Sequence, residues 1–223
     1  MSFTLRTVLF DLDGTLLDTA PDMVAALNAL RKENHLAPLA YDLVRGAVSH
    51  GAATIVKTGF PDAEGERFET LRTRYLEIYR GALAHGTRLF PGMEQVLDEL
   101  RLRRLSIGIV TNKPAWLTEP LLNELQLRAR FACVVSGDSV AERKPHPMPL
   151  LHAAQLAGAA AQECIYVGDA LRDVQAARAA NMPALIADYG YLLPEEDSST
   201  WGGDAHLAQP ADLLKWLDAR SHA

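Results

Sequence analysis

Two cysteines, Cys133 and Cys164, are the only thiols in this 223-residue chain. They offer no disulfide framework; both lie in apolar runs and read as core thiols of a reducing compartment. No uninterrupted apolar run is long enough to span a bilayer. The N-terminus lacks a charged-then-apolar leader pattern, because strand residues begin at once. The cytoplasm is therefore the expected location. Basic charge is in deficit: 22 Lys and Arg against 28 Asp and Glu give a net charge of −6 and a pI near 5.6. A nucleic-acid or anionic-membrane partner would favour a basic face, so neither is expected. There is no fixed-period repeat and no low-complexity tract. His35, His85, His152, His206 and His222 show no metal-ligand spacing.

What is present is an ordinary globular composition, 48% hydrophobic and 22% charged with a mean hydropathy of −0.03. It suffices for one large core, or a core with a small second domain. The organising stretch is Val8-Leu9-Phe10-Asp11-Leu12-Asp13-Gly14-Thr15. Its apolar run reads as a buried strand of a parallel sheet, which shows little polar alternation because both faces are covered. Residues i and i+2 of an extended segment share a side, so Asp11 and Asp13 face one space and Leu12 turns away. Gly14 lets the backbone leave the strand sharply. Taken alone, this reads as a strand end followed by an Asp-Gly turn, with two solvated acids. A shared site would instead push one of the two pKa values up, unless a cation sat between the carboxylates.

Thr19-Ala20-Pro21-Asp22 predicts a helix start, with a capping hydroxyl, a proline in the first turn and an acid at the positive end of the dipole. Helical spacing then recurs through Met23–Leu30, near Tyr41–Ala47, over Ala52–Thr58 and along Phe68–Ile78, with no strand signal between residues 16 and 86. After Phe90-Pro91-Gly92, helices alternate with apolar strand runs at Leu105–Val110, Phe131–Val135, Cys164–Val167 and Ala184–Ala187. Pro120 is expected to kink or restart its helix. The alternation predicts an α/β fold: a three-layer, Rossmann-like parallel-sheet core over residues 1–15 and 87–223, with an all-helical cap inserted over residues 16–86.

Polar residues stand at the carboxyl ends of four strands: Asp11 and Asp13, Thr111, Lys144 in the loop after Val135, and Asp169 with Asp173. Right-handed crossovers align such ends along one edge, where open α/β sheets hold their ligands. Four unrelated turns would also use these residue types, but not in this order. The ordered set Asp11–Thr15 (DLDGT), Val110–Lys113 (VTNK), Arg143–Pro147 (RKPHP) and Val167–Asp173 (VGDALRD) resembles the haloacid dehalogenase superfamily of phosphotransferases. The helical insertion matches that superfamily's smaller cap type. Within it the chain is most similar to the phosphoglycolate phosphatase group. Its tail, Tyr189-Gly190-Tyr191 and Trp201-Gly202-Gly203-Asp204, is also similar to the N-acetylmuramic acid 6-phosphate phosphatases.

The resemblance implies a small phosphate monoester as substrate and Mg²⁺ as cofactor. A phosphate monoester carries roughly −1.5 to −2 charge near neutral pH, which four further acids could not tolerate without cations. The implied metal ligands are Asp11, Asp169, the main-chain carbonyl of Asp13, and Asp173 directly or through water. Asp11 is the implied nucleophile, Asp13 the general acid and base, Lys144 the fixed positive charge, and Thr111 a phosphoryl-oxygen ligand. Arg45 and Asn112 are candidate substrate contacts; Arg45, with Ser49 and His50, reads equally as a solvated turn, and Asn112, with Lys113, as helix-start chemistry. His146 beside Lys144 reads as a solvated loop histidine. Tyr189, Tyr191 and Trp201 either order their loop or rim the substrate mouth. A phosphosugar mutase on the same scaffold and a non-catalytic binding protein are the competing functions. Halide displacement does not need the metal site that Asp13 and Asp169 provide.

Overall fold

The computed structural model describes residues 4–221; His222 lies outside them. In chain order the elements are β1 (Thr7–Phe10), β2 (Leu17–Asp18), α1 (Ala20–Glu33), α2 (Tyr41–Arg45), α3 (Gly51–Gly59), α4 (Gly65–Arg80), β3 (Arg88–Leu89), α5 (Met93–Leu102), β4 (Ser106–Val110), α6 (Ala115–Glu124), β5 (Cys133–Val135), α7 (Met148–Leu156), β6 (Cys164–Gly168), α8 (Leu171–Ala179), β7 (Ala184–Ala187), β8 (Ala205–Leu207) and α9 (Asp212–Ser221). Six strands form one sheet in the order β5-β4-β1-β6-β7-β8, parallel at every pairing. The chain works outward from β1 through β4 to β5, then resumes on the other side of β1 with β6. The strand order therefore reverses at β1, and a crevice opens beyond the carboxyl ends of β4, β1 and β6.

The pleat divides the core. Val8, Phe10, Ile165 and Val167 pack on one face with Leu97 and Leu100 of α5, Leu121 of α6 and Leu213 of α9. Leu9, Cys133, Val135 and Tyr166 pack on the other with Leu150 of α7 and Val174 of α8. These are the three layers expected from the alternation of strands and helices. Cys133 and Cys164 are both buried free thiols, and burial raises each to a pKa of about 11.

The insertion departs from the sequence reading at its edges. Leu17–Asp18 is not helical but pairs antiparallel with Arg88–Leu89, making a two-stranded ribbon where the chain enters and leaves the helices. Two residues are too few to show a period. Thr19 does not cap α1. Its backbone is in the helical region, at φ −94° and ψ −8°, whereas a capping side chain needs extended backbone to reach back. Its hydroxyl is buried with no hydrogen-bond partner among the described residues, and the Ala20 N–H donates to the Tyr191 hydroxyl instead, at 2.9 Å.

The buried carboxylate of Asp22 does more than face a helix dipole. It accepts from the Gly86 N–H at 2.7 Å, the Thr87 N–H at 2.8 Å and the Thr87 hydroxyl at 2.7 Å, so one side chain ties the exit of the insertion to its entrance. Elsewhere Pro120 sits inside a continuous α6: the helix forgoes one backbone bond there, and the burial of Leu117, Leu121 and Leu122 holds it. β8, a short edge strand with exposed His206 at its centre, carries no apolar run and was not legible as a strand.

Candidate active site

Asp11 follows β1 directly, and Gly14 turns the chain at φ +84°. A Cβ at Gly14 would collide with the Asp169 carboxylate, so the residue must be glycine for both backbone and space. Asp11 and Asp13 line one cavity of about 290 Å³ while Leu12 is buried in the core, although all three residues lie past the end of β1. Thr111, after β4, lines the same cavity, and its hydroxyl accepts from the Lys113 N–H at 3.1 Å.

Lys144 lies at the base of the site, and its side chain is fully buried. Its ammonium contacts Asp11 Oδ1 at 2.9 Å, Asp173 Oδ1 at 2.8 Å and the Tyr166 hydroxyl at 2.6 Å, which accounts for all three of its N–H donors. The Tyr166 hydroxyl in turn donates to the Val110 carbonyl at 2.7 Å. Asn112 holds the lysine by its main chain: Nδ2 donates to the Lys144 carbonyl at 2.9 Å and Oδ1 accepts from its N–H at 3.1 Å. The Asn112 side chain thus supports Lys144, and Asn112 also lines the cavity.

One carboxylate oxygen from each of Asp11, Asp169 and Asp173 lies within 4.8 Å of the other two. Burial pushes the Asp11 carboxyl up; the pull of Lys144 opposes this and the charge of Asp173 adds to it. Asp169 is pushed up to about 7, by burial first and then by Asp11 and Asp173. Burial acts the same way on Asp173, but Lys144 and Arg172 outweigh it and hold that carboxyl low. Three buried hard-oxygen donors, two of them driven toward protonation chiefly by burial, suit a hard divalent cation.

A pH dependence follows. A carboxyl whose folded pKa lies above its unfolded value of about 3.9 stabilises the fold fully below that value and loses this contribution as pH rises through about 7. A cation must displace the same proton, so protonation of Asp169 alone should weaken its binding about 30-fold at pH 5.5 relative to pH 8. Any rise in Tm on adding a divalent cation is expected to be clearly larger at pH 8. Thermal melts with and without EDTA at both pH values check this, and equal shifts would remove Asp169 from the cation site.

The insertion completes the cavity. Ser49 and His50, which precede α3, line it; the Ser49 hydroxyl donates to Asp169 Oδ2 at 2.5 Å and His50 pairs with Glu196 at 3.3 Å. Arg45 does not join them. Its guanidinium lies 4.7 Å from the Tyr191 ring centroid and donates to the Tyr189 carbonyl at 3.4 Å, so it braces the loop after β7. Tyr191 is fully buried; its N–H donates to Asp169 Oδ2 at 2.9 Å and its hydroxyl to Asp18 at 2.5 Å. Tyr189 donates to the Thr15 carbonyl at 3.0 Å. These tyrosines order the loop against the catalytic edge. His146 is exposed, and its Nδ1 accepts from the Met148 N–H at 3.2 Å at the start of α7.

Two cations carry more of the site than the sequence indicated. Lys113 is buried, 2.9 Å from Asp13 Oδ1 and 2.8 Å from the Tyr79 hydroxyl. Its i+2 relation to Thr111 was the available signal. Arg172 lines the cavity with a guanidinium nitrogen 3.7 Å from Asp11 Oδ2. Burial opposes its charge, but Asp173, Asp11 and Asp169 together outweigh burial. No spacing rule marks an arginine between two acids as part of such a centre.

Comparison with known proteins gives the same answer as the geometry. The family model described as haloacid dehalogenase-like hydrolase matches residues 8–187. A phosphoglycolate phosphatase of Xylella fastidiosa is 42% identical over 205 residues, covering 92% of this chain and 90% of the relative. An N-acetylmuramic acid 6-phosphate phosphatase of Pseudomonas putida is 39% identical over 216 residues, with coverage of 96% and 97%. The crystal structure of a predicted phosphoglycolate phosphatase from Haemophilus somnus superposes with a TM-score of 0.85 at 25% identity, covering 96% of this chain and 98% of the other. With the carboxylates, the threonine and the lysine gathered where the strand order reverses, and a match spanning the sheet and the insertion alike, this chain belongs to the haloacid dehalogenase-like hydrolases.

Proposed function

We propose that the chain is a Mg²⁺-dependent phosphoric monoester hydrolase that acts on a small phosphorylated metabolite, 2-phosphoglycolate or N-acetylmuramic acid 6-phosphate. The observation that carries this reading is Lys144, fully buried and shared between Asp11 and Asp173 beneath a cavity onto which Asp11 and Asp13 both open. Relatives named for each of the two substrates support it. Mg²⁺ would be held by Asp11, Asp169 and Asp173 with the Asp13 carbonyl, and it supplies neutralisation of phosphoryl charge. The reaction belongs to the cytoplasm, where the two core thiols stay reduced.

Asp11 attacks phosphorus and the bond to the leaving oxygen breaks, while Asp13 gives that oxygen a proton. Water then attacks the aspartyl-phosphate, returning a proton to Asp13 and releasing inorganic phosphate. Thr111 and the adjacent N–H groups hold phosphoryl oxygens, and Lys144 and Arg172 balance the charge that builds on them. The helices of the insertion act as a cap, excluding water with Ser49, His50 and Tyr79.

A Mg²⁺-dependent screen for phosphate release tests the reading, with 2-phosphoglycolate, N-acetylmuramic acid 6-phosphate and common sugar phosphates ranked by kcat/KM. One of the first two is expected to lead. Asp13→Asn is expected to lose on the order of 10²–10⁴-fold in kcat while still trapping a metal-bound phosphate analogue. No phosphate release across the panel, or isomerised sugar phosphate in its place, would overturn the assignment.

A further inference from the structure

Lys113 is the cation that the catalytic scheme leaves without a task. In-line displacement puts the leaving group opposite Asp11, on the side of the acid that protonates it, and Lys113 Nζ sits 2.9 Å from that acid. Arg172 faces Asp11 instead, and Lys144 lies buried beneath. The cavity that Lys113 lines also carries apolar side chains, Met23, Leu76 and Leu117 among them. An ammonium whose side chain is 4% exposed in such a cavity needs a negative partner. Asp13 is that partner in the free protein, and the Tyr79 hydroxyl takes a second N–H.

We infer that Lys113 selects the substrate by binding a carboxylate carried on the leaving group. This rests on the phosphatase reading and sharpens it. An ester with a neutral leaving group leaves Lys113 on Asp13, competing with the leaving oxygen for that carboxyl. An ester with a carboxylate supplies a replacement partner and frees Asp13 to face the leaving oxygen. Reach decides which carboxylate. When a single carbon separates it from the ester oxygen, the two sets of oxygens lie about 3 Å apart, within the span from Asp13 to Lys113. The carboxylate of N-acetylmuramic acid 6-phosphate sits on a lactyl ether of the ring, many bonds from the ester oxygen rather than one carbon away. Lys113 therefore favours the 2-phosphoglycolate type of ester.

The test pairs a change in the enzyme with a change in the substrate. Wild type, Lys113→Met and Lys113→Arg are compared on 2-phosphoglycolate and on ethyl phosphate, which has a methyl group where the carboxylate stands. Removing a buried charge partner should cost Lys113→Met on the order of 100-fold in kcat/KM on 2-phosphoglycolate. The loss is expected mainly in KM and to be several-fold larger than on ethyl phosphate, with Lys113→Arg recovering part of it. Equal losses on both esters would overturn the inference, since Lys113 would then act through Asp13 alone. So would a wild-type enzyme that prefers ethyl phosphate. If Lys113→Met does not fold, Lys113→Arg must still lose more on the carboxylated ester, and an equal loss there overturns the inference too. If wild type releases phosphate from neither ester nor from any other in the panel, the phosphatase reading has failed first.

Discussion

Asp11→Asn is expected to abolish turnover, by on the order of 10⁴-fold or more in kcat, with the fold intact. The amide cannot attack phosphorus as a carboxylate does, and losses on this scale accompany removal of a covalent nucleophile. Its oxygen can still accept the Leu12 N–H that Asp11 Oδ1 accepts at 2.7 Å, so the strand end keeps its shape. The variant also removes one of the three acids crowding the centre, and the Asp11 charge is one cause of the high pKa of Asp169. The metal-free variant should therefore melt no lower than metal-free wild type at pH 8. Single-turnover assays and thermal melts read the two halves separately. Near-normal kcat would remove the covalent step, and a collapsed Tm would show that Asp11 is needed for packing.

Lys144→Met is expected to damage both stability and rate. The substitution leaves Asp11 and Asp173 buried without the ammonium that each touches within 3 Å. Breaking a buried pair in this way costs about 3–5 kcal/mol, or roughly 6–20 °C in Tm for a chain of this length. The loss has a sign in pH. The low pKa of Asp173 stabilises the fold above its unfolded value and ceases to do so as pH falls through the folded one. The gap between wild type and variant should thus narrow only as pH falls below about 4. In kcat, loss of a fixed charge aimed at the phosphoryl group is worth on the order of 10²–10³-fold. A Tm within about 2 °C of wild type at pH 8 would mean that Lys144 is not the shared counter-charge.

What was legible in the sequence is what depends on chain-local rules. Asp11 and Asp13 share one cavity as their alternate spacing suggested, although β1 ends before them, and the alternation of strands with helices brings Thr111, Lys144 and Asp169 to one edge without any knowledge of side-chain contacts. What was not legible needs two distant segments at once. Ser49 reaches Asp169 across 120 positions, and Lys113 reaches Tyr79 across 34; no spacing encodes either. The packing of Arg45 on the Tyr191 ring was hidden for the same reason. Thr19 misled through its backbone, whose helical φ and ψ a residue type cannot announce. The Leu17–Arg88 ribbon is too brief for any periodic pattern.

The Asp22 carboxylate makes the two crossings between sheet and insertion a single joint. Asp22 and Thr87 are both buried, so neither half can find water if the other is missing. Helices exchanged between relatives to swap substrate range will then behave as an intact cassette only when residues 22 to 87 travel together. A splice made inside either crossing strands a carboxylate in one chimera and a hydroxyl in its reciprocal.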